Sequence, residues 1–401
     1  MRRFPAGLAV AALALTACSG TSGQSERVTT GASPSASAAV TAPSTSATPH
    51  ATRPPVSRRG LLPGMPAPLS ATDIYAADRP GRLSPVVRHD PALVYVPNSE
   101  SGTLDVISQK TFQIVGHYQV GRLPQHVTPS YDMRRLYVLN DQGNSVTVIN
   151  PRTGKLGATL PVTDPYNMYF TPDGKYAIVV AEALQRLDFL NAKTMQLVHS
   201  LPVDCLGIDH ADFTADGRYA VFSCEFSGKL LKLDVAKQKV VGMIHVKEGG
   251  SPQDVKTSPD GKVMYVADQY ANGVQIIDPK RFREIGFLHT GVGAHGLYVN
   301  RSSTWLYVTN RREGSVSVID LRTRKVVHTW HIPGGGSPDM GGLSADGKVL
   351  WLSGRYNSVV YALNARTGAL LAKIPVGSSP HGLCVYPQPG RYSLGHTGVF
   401  R

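Results

Sequence analysis

Residues 295–332 read HGLYVNRSSTWLYVTNRREGSVSVIDLRTRKVVHTWHI and contain four short segments that are rich in β-branched and aromatic residues. The segments are His295–Val299, Trp305–Asn310, Ser315–Asp320 and Lys325–Ile332, and polar residues typical of turns separate them. Four such strands form one antiparallel sheet of the kind that makes a blade of a β-propeller. One blade cannot bury both of its faces, so copies of it must pack around a central axis.

The same pattern recurs along the chain at intervals of 41 to 44 residues. The first strands of the copies are expected to begin at Gln125, Tyr166, Asp209, Gln253, His295, Asp339 and His381. An Asp-Gly turn, in which glycine readily adopts positive φ, follows the first strand in four copies, at Asp173, Asp216, Asp260 and Asp346. This regularity indicates an array of structural repeats.

The two ends of the array complement each other. Residues 92–120 supply a second, third and fourth strand without a first, and residues 381–386 supply a first strand without the others. Joined, they complete a seventh blade and protect the open sheet edges. The sequence therefore predicts an all-β, seven-bladed β-propeller of four-stranded antiparallel blades over residues 92–401, closed by both chain ends, with a C-terminal tail.

The segments Leu306–Asn310 and Gly314–Asp320 resemble the repeat of the YVTN family of seven-bladed propellers, and the resemblance extends over roughly residues 92–386. It implies the architecture described above. Members of that family have varied roles, so the resemblance does not imply a particular chemistry.

The first eighteen residues have the features of an export signal: Arg2 and Arg3, an apolar stretch over 4–15, and small residues before Cys18. The sequence around Cys18 resembles a bacterial lipobox, which implies a signal peptide over 1–17, cleavage before Cys18 and its lipidation. An ordinary signal peptide is the alternative. We expect the protein to be exported and lipid-anchored at the outer face of the cytoplasmic membrane.

Composition divides the segment between the signal and the propeller. Residues 18–68 are dominated by Ser, Thr, Ala and Pro, and they bury too little apolar surface to fold, which predicts a disordered linker. Residues 69–91 are expected to be a lead-in that packs on the propeller. The tail after 386 either latches beside the lead-in, plugs one end of the channel or frays.

The formal net charge is +13, but Lys and Arg do not cluster with interleaved aromatic residues. Nucleic acid is therefore excluded as a specific partner. Besides the membrane itself, reached through the lipid anchor, the partners that an exported propeller would meet are a cell-wall polymer, a small polar ligand or another exported protein.

Three cysteines follow the lipobox. Cys205 precedes the third first strand and Cys224 ends the next strand, so both map to one face of the ring, and we predict a disulfide between them. Cys384 is expected to be a buried free thiol. The alternative is three unpaired cysteines in the core.

Polar residues stand at the starts of the first strands, which line the channel of a propeller. We predict a ligand-binding rim with these members: Gln125, His126, Asn167, Asp209, His210, Gln253, Asp254, His295, Asp339 and His381. One interpretation is that they only solvate the channel; the other is that they recognise a ligand. The function favoured is that of a binding or scaffold module, which requires no cofactor and no catalytic residue.

Two alternatives remain open. Imidazole and carboxylate suit zinc or copper, and a histidine-lined seven-bladed ring is similar to the copper-cluster domain of nitrous oxide reductase, whose paired histidine motifs are nevertheless absent. An enzyme at the rim would resemble propeller lactonases or streptogramin lyases, but no nucleophile elbow or paired carboxylate motif is present.

Overall fold

The computed structural model describes residues 59–247, 250–396 and 400–401. In this part of the chain 28 strands form seven four-stranded sheets, and all strand pairs within them are antiparallel. A short 3₁₀ turn at Glu225–Ser227 is the one helical element among the described residues. A helix with the length and hydropathy needed to cross a membrane does not occur in the same ranges.

Each blade is named here with its strands from the innermost to the outermost. Blade 1 contains β4 (Pro124–Pro129), β5 (Leu136–Asn140), β6 (Ser145–Asn150) and β7 (Lys155–Pro161). Blade 2 contains β8 (Asn167–Phe170), β9 (Tyr176–Ala181), β10 (Arg186–Asn191) and β11 (Leu197–Pro202). Blade 3 contains β12 (Ile208–Phe213), β13 (Tyr219–Cys224), β14 (Lys229–Asp234) and β15 (Lys239–His245). Blade 4 contains β16 (Pro252–Thr257), β17 (Met264–Asp268), β18 (Gly273–Asp278) and β19 (Arg283–His289).

Two further blades and the closing blade complete the ring. Blade 5 contains β20 (Ala294–Val299), β21 (Trp305–Asn310), β22 (Ser315–Asp320) and β23 (Lys325–His331). Blade 6 contains β24 (Pro338–Leu343), β25 (Val349–Gly354), β26 (Val359–Asn364) and β27 (Leu370–Pro375). The closing blade contains β28 (Cys384–Tyr386), β1 (Leu93–Asn98), β2 (Thr103–Ser108) and β3 (Ile114–Gln119).

The seventh blade is built from both ends of the array, as predicted. Strand β28 pairs with β1 in the register Leu93↔Tyr386 and Tyr95↔Cys384. β28 is shorter than the expected strand over 381–386, because the N–H of Leu383 donates to the carbonyl of His381 at 2.7 Å and bends the chain there. The N–H of His381 still donates to Pro97 at 3.1 Å, so this residue stays attached to the blade.

The hydrophobic core lies between neighbouring blades. Aromatic side chains of the second strands, such as Tyr137, Tyr265 and Tyr307, are almost fully buried there. The hydroxyl of Tyr307 in blade 5 donates to the carbonyl of Ala365 beside blade 6 at 2.6 Å, which satisfies the polar end of a buried ring. The outermost strands face solvent and alternate exposed with partly buried residues, as in β23.

Two kinds of loop define two faces of the ring: the loops that follow the second strands form the upper face, and the turns that follow the first strands form the lower face. The lower face carries the Asp-Gly turns, in which Gly174 and Gly217 adopt φ of 70° and 68° as predicted for such turns. The lead-in lies on this face, where the N–H of Ile74 donates to the carbonyl of Pro259 at 2.8 Å. The residues just before it do the same, since the N–H of Leu62 donates to the carbonyl of Asp216 at 2.8 Å. These contacts begin inside the stretch that the sequence assigned to the linker. The predicted signal peptide over 1–17, Cys18 and the linker up to residue 58 lie outside the described residues.

The C-terminal tail enters the centre of the ring from the lower face. The N–H of Phe170 donates to Leu394 at 2.9 Å, and Gly395 forms a bridge with Tyr169, so the tail pairs with the inner strand of blade 2. His396 is fully buried at the end of this segment. The guanidinium of Arg401 lies 4.7 Å from the ring centroid of Tyr75 in the lead-in. The tail thus both latches beside the lead-in and fills the channel, two of the three arrangements considered.

The predicted disulfide is confirmed. Cys205 and Cys224 are bonded, with their α-carbons 5.1 Å apart, and both are fully buried. Cys205 lies in the connection between β11 and β12, and Cys224 ends β13, so the bond ties a loop of the upper face to the strand beneath it. Cys384 is a buried free thiol, also as predicted.

Replacing Cys205 and Cys224 together with alanine should lower the free energy of unfolding by about 3 kcal/mol, because the bond closes a short loop and restricts the unfolded chain. Urea unfolding with and without a reductant measures the effect. The double variant should be insensitive to the reductant, whereas a Cys384→Ala variant should respond like the wild type. Equal stability of the wild type in both conditions would contradict the structural role.

Candidate functional site

The inner strands carry an irregularity close to their first residues. The pairing with the second strand shifts register in five blades, between Pro124/His126, Ile208/Ala211, Pro252/Val255, Ala294/Leu297 and Pro338/Gly341. Such bulges leave residues out of the ladder and re-aim their side chains. Polar residues predicted for the rim, such as the adjacent pair Asp209 and His210, fall in these bulges. The ring therefore directs several of their side chains towards its axis.

All ten residues predicted for the rim are buried in the structure. Five of them come together around the axis: His126, His210, His295, Asp339 and His381. Of the others, Gln125 and Gln253 line a cavity at the upper face, and the side-chain amide of Asn167 donates to Nδ1 of His210 at 3.0 Å. Asp254 instead accepts the N–H of Leu297 in the adjoining blade at 2.9 Å.

Four basic groups surround the carboxylate of Asp339. His381 Nδ1 donates to one oxygen at 2.8 Å, and His295 Nδ1 lies 3.0 Å from the other. Arg311 approaches to 3.3 Å and Arg355 to 3.9 Å. Burial alone would raise the pKa of Asp339, but His295, Arg311 and His381 together hold it well below its usual value. Asp339 is therefore ionised inside the channel.

Further carboxyl groups of the site lie on blades 2 and 3. Burial, reinforced by Glu225 and Glu182, raises the pKa of Asp209 well above its usual value. Burial, with Glu225 as the next contribution, raises the pKa of Glu182 to about 8. Glu182 is thus largely protonated at neutral pH, and the pKa of Asp209 shifts in the same direction, opposite to that of Asp339 on blade 6. One channel therefore holds an ionised and a protonated carboxyl group at different positions around the axis.

A cavity of about 280 Å³ opens from this channel onto the upper face. Arg311 and Arg355 line it from blades 5 and 6, and Glu182 and Glu225 line it from blades 2 and 3. Gln269 of blade 4 links the two sides: it donates to Glu225 at 2.6 Å and accepts from Arg311 at 2.9 Å. We refer to this cavity as the mouth.

Exposed apolar side chains surround the mouth on the loops of the upper face. Phe226, Tyr270 and Tyr356 each expose more than half of their surface. The guanidinium of Arg311 lies 5.5 Å from the ring centroid of Tyr356, which holds the arginine over the cavity. Large aromatic groups beside charged ones are typical of a surface that recognises a ligand.

A cluster of histidines lies beneath the mouth. The ring centroids of His126 and His396 are 4.1 Å apart, and those of His210 and His396 are 5.3 Å apart. His381 lies beside them, with its ring centroid 4.7 Å from that of His126. Burial lowers the pKa of His126 to about 3, and burial lowers the pKa of His210 and His396 well below the usual value. These imidazoles are neutral at physiological pH.

His396 is the member of the cluster that the sequence did not predict. It follows the last repeat, so the period of the array assigns it no position. The one available signal was local: Tyr392 and Leu394 alternate with polar residues ahead of it, a pattern typical of a short buried strand. Arg311, Arg355, Glu182 and Glu225 all lie in loops after second strands, which the blade pattern places at the upper face.

The family model of YncE-like β-propellers matches residues 75–390, which is most of the chain. The chain belongs to the YncE-like β-propeller family. Among curated proteins, it is 27% identical over 141 residues to the YncE protein of Salmonella typhi, covering 34% of this chain and 39% of that one. It is 29% identical over 142 residues to hydrazine synthase subunit beta of Kuenenia stuttgartiensis, covering 33% and 31%. The chain spans less than two-fifths of the length of these relatives.

Solved structures share the fold of this YncE-like chain. The periplasmic gluconolactonase PpgL of Pseudomonas aeruginosa superposes with a TM-score of 0.62 at 17% identity, over 74% of this chain and 99% of that one. At this identity the likeness concerns the propeller architecture alone, because unrelated functions occur on the same ring. Function must be argued from the mouth and the channel.

Replacing Asp339 with asparagine should lower the free energy of unfolding by roughly 3–5 kcal/mol, because two arginines and two histidines lose the buried carboxylate between them. Asp346→Asn is the matched control. It breaks an exposed pair with Lys348 on the lower face and should cost at most about 1 kcal/mol. Urea unfolding compares both variants with the wild type, and similar losses for the two would contradict this role of Asp339.

Proposed function

We propose that this YncE-like propeller is an extracytoplasmic, membrane-anchored binding module whose mouth takes a small ligand that carries both a cationic and an anionic group. The observation that carries the proposal is the division of the mouth into a basic side and an acidic side across about 280 Å³. Groups of opposite charge at opposite walls orient a ligand and select for its two ends.

The basic side matches an anionic group such as a carboxylate. Arg355 contributes a guanidinium that is about one-fifth exposed and 3.9 Å from Asp339, so part of its charge faces the cavity. Arg311 is held by Asp339, Gln269 and Tyr356, and its position is therefore fixed before a ligand arrives. A planar guanidinium forms paired hydrogen bonds with a carboxylate.

The acidic side matches a cationic group. Glu182 has a pKa of about 8, so near neutral pH it holds a proton that a ligand ammonium would displace. Glu225 lies next to it and raises that pKa by its own charge. A ligand with an ammonium at this wall and a carboxylate at the opposite wall would neutralise both sides. Free amino acids have this chemistry and fit a cavity of this size.

The first test compares free amino acids with their N-acetyl and amide derivatives by isothermal titration calorimetry. The free forms should bind, and loss of either charge should weaken binding about 10- to 100-fold, because each removes a charge-assisted hydrogen bond. Glu182→Gln and Arg355→Gln should weaken the free forms to a similar degree. Lys348→Gln on the lower face is the control. Equal binding of derivatives and free forms would contradict the proposal.

The pH dependence of the same titrations provides a second criterion. An ammonium favours ionised Glu182, so affinity should rise about tenfold per pH unit as the pH approaches 8 from below and then level off. In Glu182→Gln this rise should disappear. A rise that persists in the variant would assign the titration to another group.

The membrane anchor rests on the sequence before the propeller and is tested separately. In bacterial cells grown with labelled palmitate, the wild type should carry the label and sediment with membranes, whereas Cys18→Ala should do neither. Cys384→Ala is the matched control, because this thiol is buried in β28 and should leave labelling unchanged. Label retained by Cys18→Ala would contradict lipidation at this residue.

A further inference from the structure

Beneath the mouth, the histidine cluster has a property that ligand binding at the mouth does not use. His126, His210 and His396 each offer one ring nitrogen, and these three nitrogens lie within 4.8 Å of one another. We propose that the three side chains bind one transition-metal ion of the zinc and copper class inside the channel. The site is independent of the amino-acid site proposed at the mouth.

Unpartnered nitrogens are the first observation in favour of a metal. Nε2 of His126, Nε2 of His210 and both ring nitrogens of His396 are buried without a hydrogen-bond partner. The Nε2 of His210 lies 3.1 Å from a carboxyl oxygen of Asp209, but not in hydrogen-bond alignment, and its Nδ1 accepts from the side-chain amide of Asn167 at 3.0 Å. Binding of an ion through Nε2 therefore requires the proton of His210 to move to Nδ1 and the Asn167 amide to shift. Buried polar atoms without partners are rare in folded proteins. A metal ion would satisfy one nitrogen from each ring at once.

The second observation is the hydrogen bond made by the other ring nitrogen of His126, Nδ1. Its Nδ1 lies 2.7 Å from the backbone carbonyl of Tyr166, which accepts the Nδ1 proton. This fixes the tautomer in which Nε2 carries the free lone pair and directs it into the cluster. Histidines that bind metals are oriented in the same way, by a carbonyl or carboxylate that accepts the N–H of the other ring nitrogen.

The distances between the ring nitrogens are short enough for the three side chains to bind one ion after small movements. Nitrogens bound at about 2.1 Å in a tetrahedral site lie about 3.4 Å apart. The observed upper limit of 4.8 Å therefore requires ring rotations and small shifts of the tail, not a change of fold. His381, whose Nε2 is also unpartnered, is the nearest further imidazole for a fourth position. Imidazole donors favour zinc and copper over magnesium and calcium.

His396 makes the site dependent on the tail. His126 and His210 belong to β4 and β12, which are fixed in the ring, whereas His396 reaches them only when the tail is docked. A bound ion would therefore join the tail to blades 1 and 3 and oppose its release. Metal binding should protect the peptide bonds of the tail from a protease in proportion to occupancy.

The test uses the full chain, carrying an affinity tag without histidine and produced in medium supplemented with Zn²⁺ or Cu²⁺. After gel filtration in a weak chelator, elemental analysis should find about one ion per chain. His396→Ala should lower the metal affinity at least about 100-fold, because it removes a ligand rather than an outer contact. The control is His331→Ala, which removes an exposed histidine at the end of β23 and should retain the ion.

Folding of the variants is verified by near-ultraviolet circular dichroism, and His396→Gln, which better preserves volume, replaces the alanine variant if that one unfolds. Substitution with Co²⁺ gives an independent readout, since a nitrogen-ligated tetrahedral site absorbs visible light and the variants should not. Absence of stoichiometric metal from the wild type, or wild-type metal content in folded His396→Gln, would overturn the proposal. Amino-acid titrations on metal-free protein test the mouth independently of this result.

Discussion

Pairing of β28 with β1 is the constraint on which the channel depends. Three residue pairs, from Leu93↔Tyr386 to Tyr95↔Cys384, join the two ends of the array and leave every blade with neighbours on both sides. A closed ring of rigid sheets fixes the distance of each inner strand from the axis, so side chains from blades separated by tens of residues meet at one place. Asp339 on blade 6 and His381 before β28 lie in contact only because the ring is closed there.

Much of the architecture was predictable because it follows from the period of the sequence repeat. The intervals between first strands gave the number of blades, and the Asp-Gly turns marked the lower face. The irregular parts were not predictable to the same degree. The shortened start of β28 follows from one bend at Leu383, and the bulges in the inner strands interrupt the regular alternation that a strand pattern assumes. His396 has no place in the repeat, so the cluster that it completes could not be assembled from periodicity.

The candidate site shows the same difference between what the repeat predicts and what it does not. The sequence places polar residues at the starts of the inner strands, but it does not give the charges that they carry there. Asp339 and Asp209 occupy comparable positions at the starts of inner strands, yet the pKa of the first is lowered and the pKa of the second is raised. The difference lies in their neighbours: Asp339 has arginines and histidines around it, whereas Asp209 has Glu182 and Glu225. Those neighbours lie in loops after second strands. The repeat pattern predicts which face of the ring these loops occupy, but not the distances between their side chains and the carboxyl groups.

The tail extends from the lower face into the channel, where it contributes His396 to the histidine cluster. Because Leu394 and Gly395 pair with blade 2 and His396 lies at the axis, the described tail occupies the lower part of the channel. A small ligand would then enter from the upper face, through the mouth that Arg355 and Glu182 line. The neutral histidines beneath form a floor to that mouth. Desolvation at such a floor keeps the imidazoles uncharged, and uncharged imidazole is the form that binds a metal ion without first releasing a proton. Burial also raises the pKa of Glu182 above them, so one physical cause acts on the acidic wall of the mouth and on the histidines of its floor.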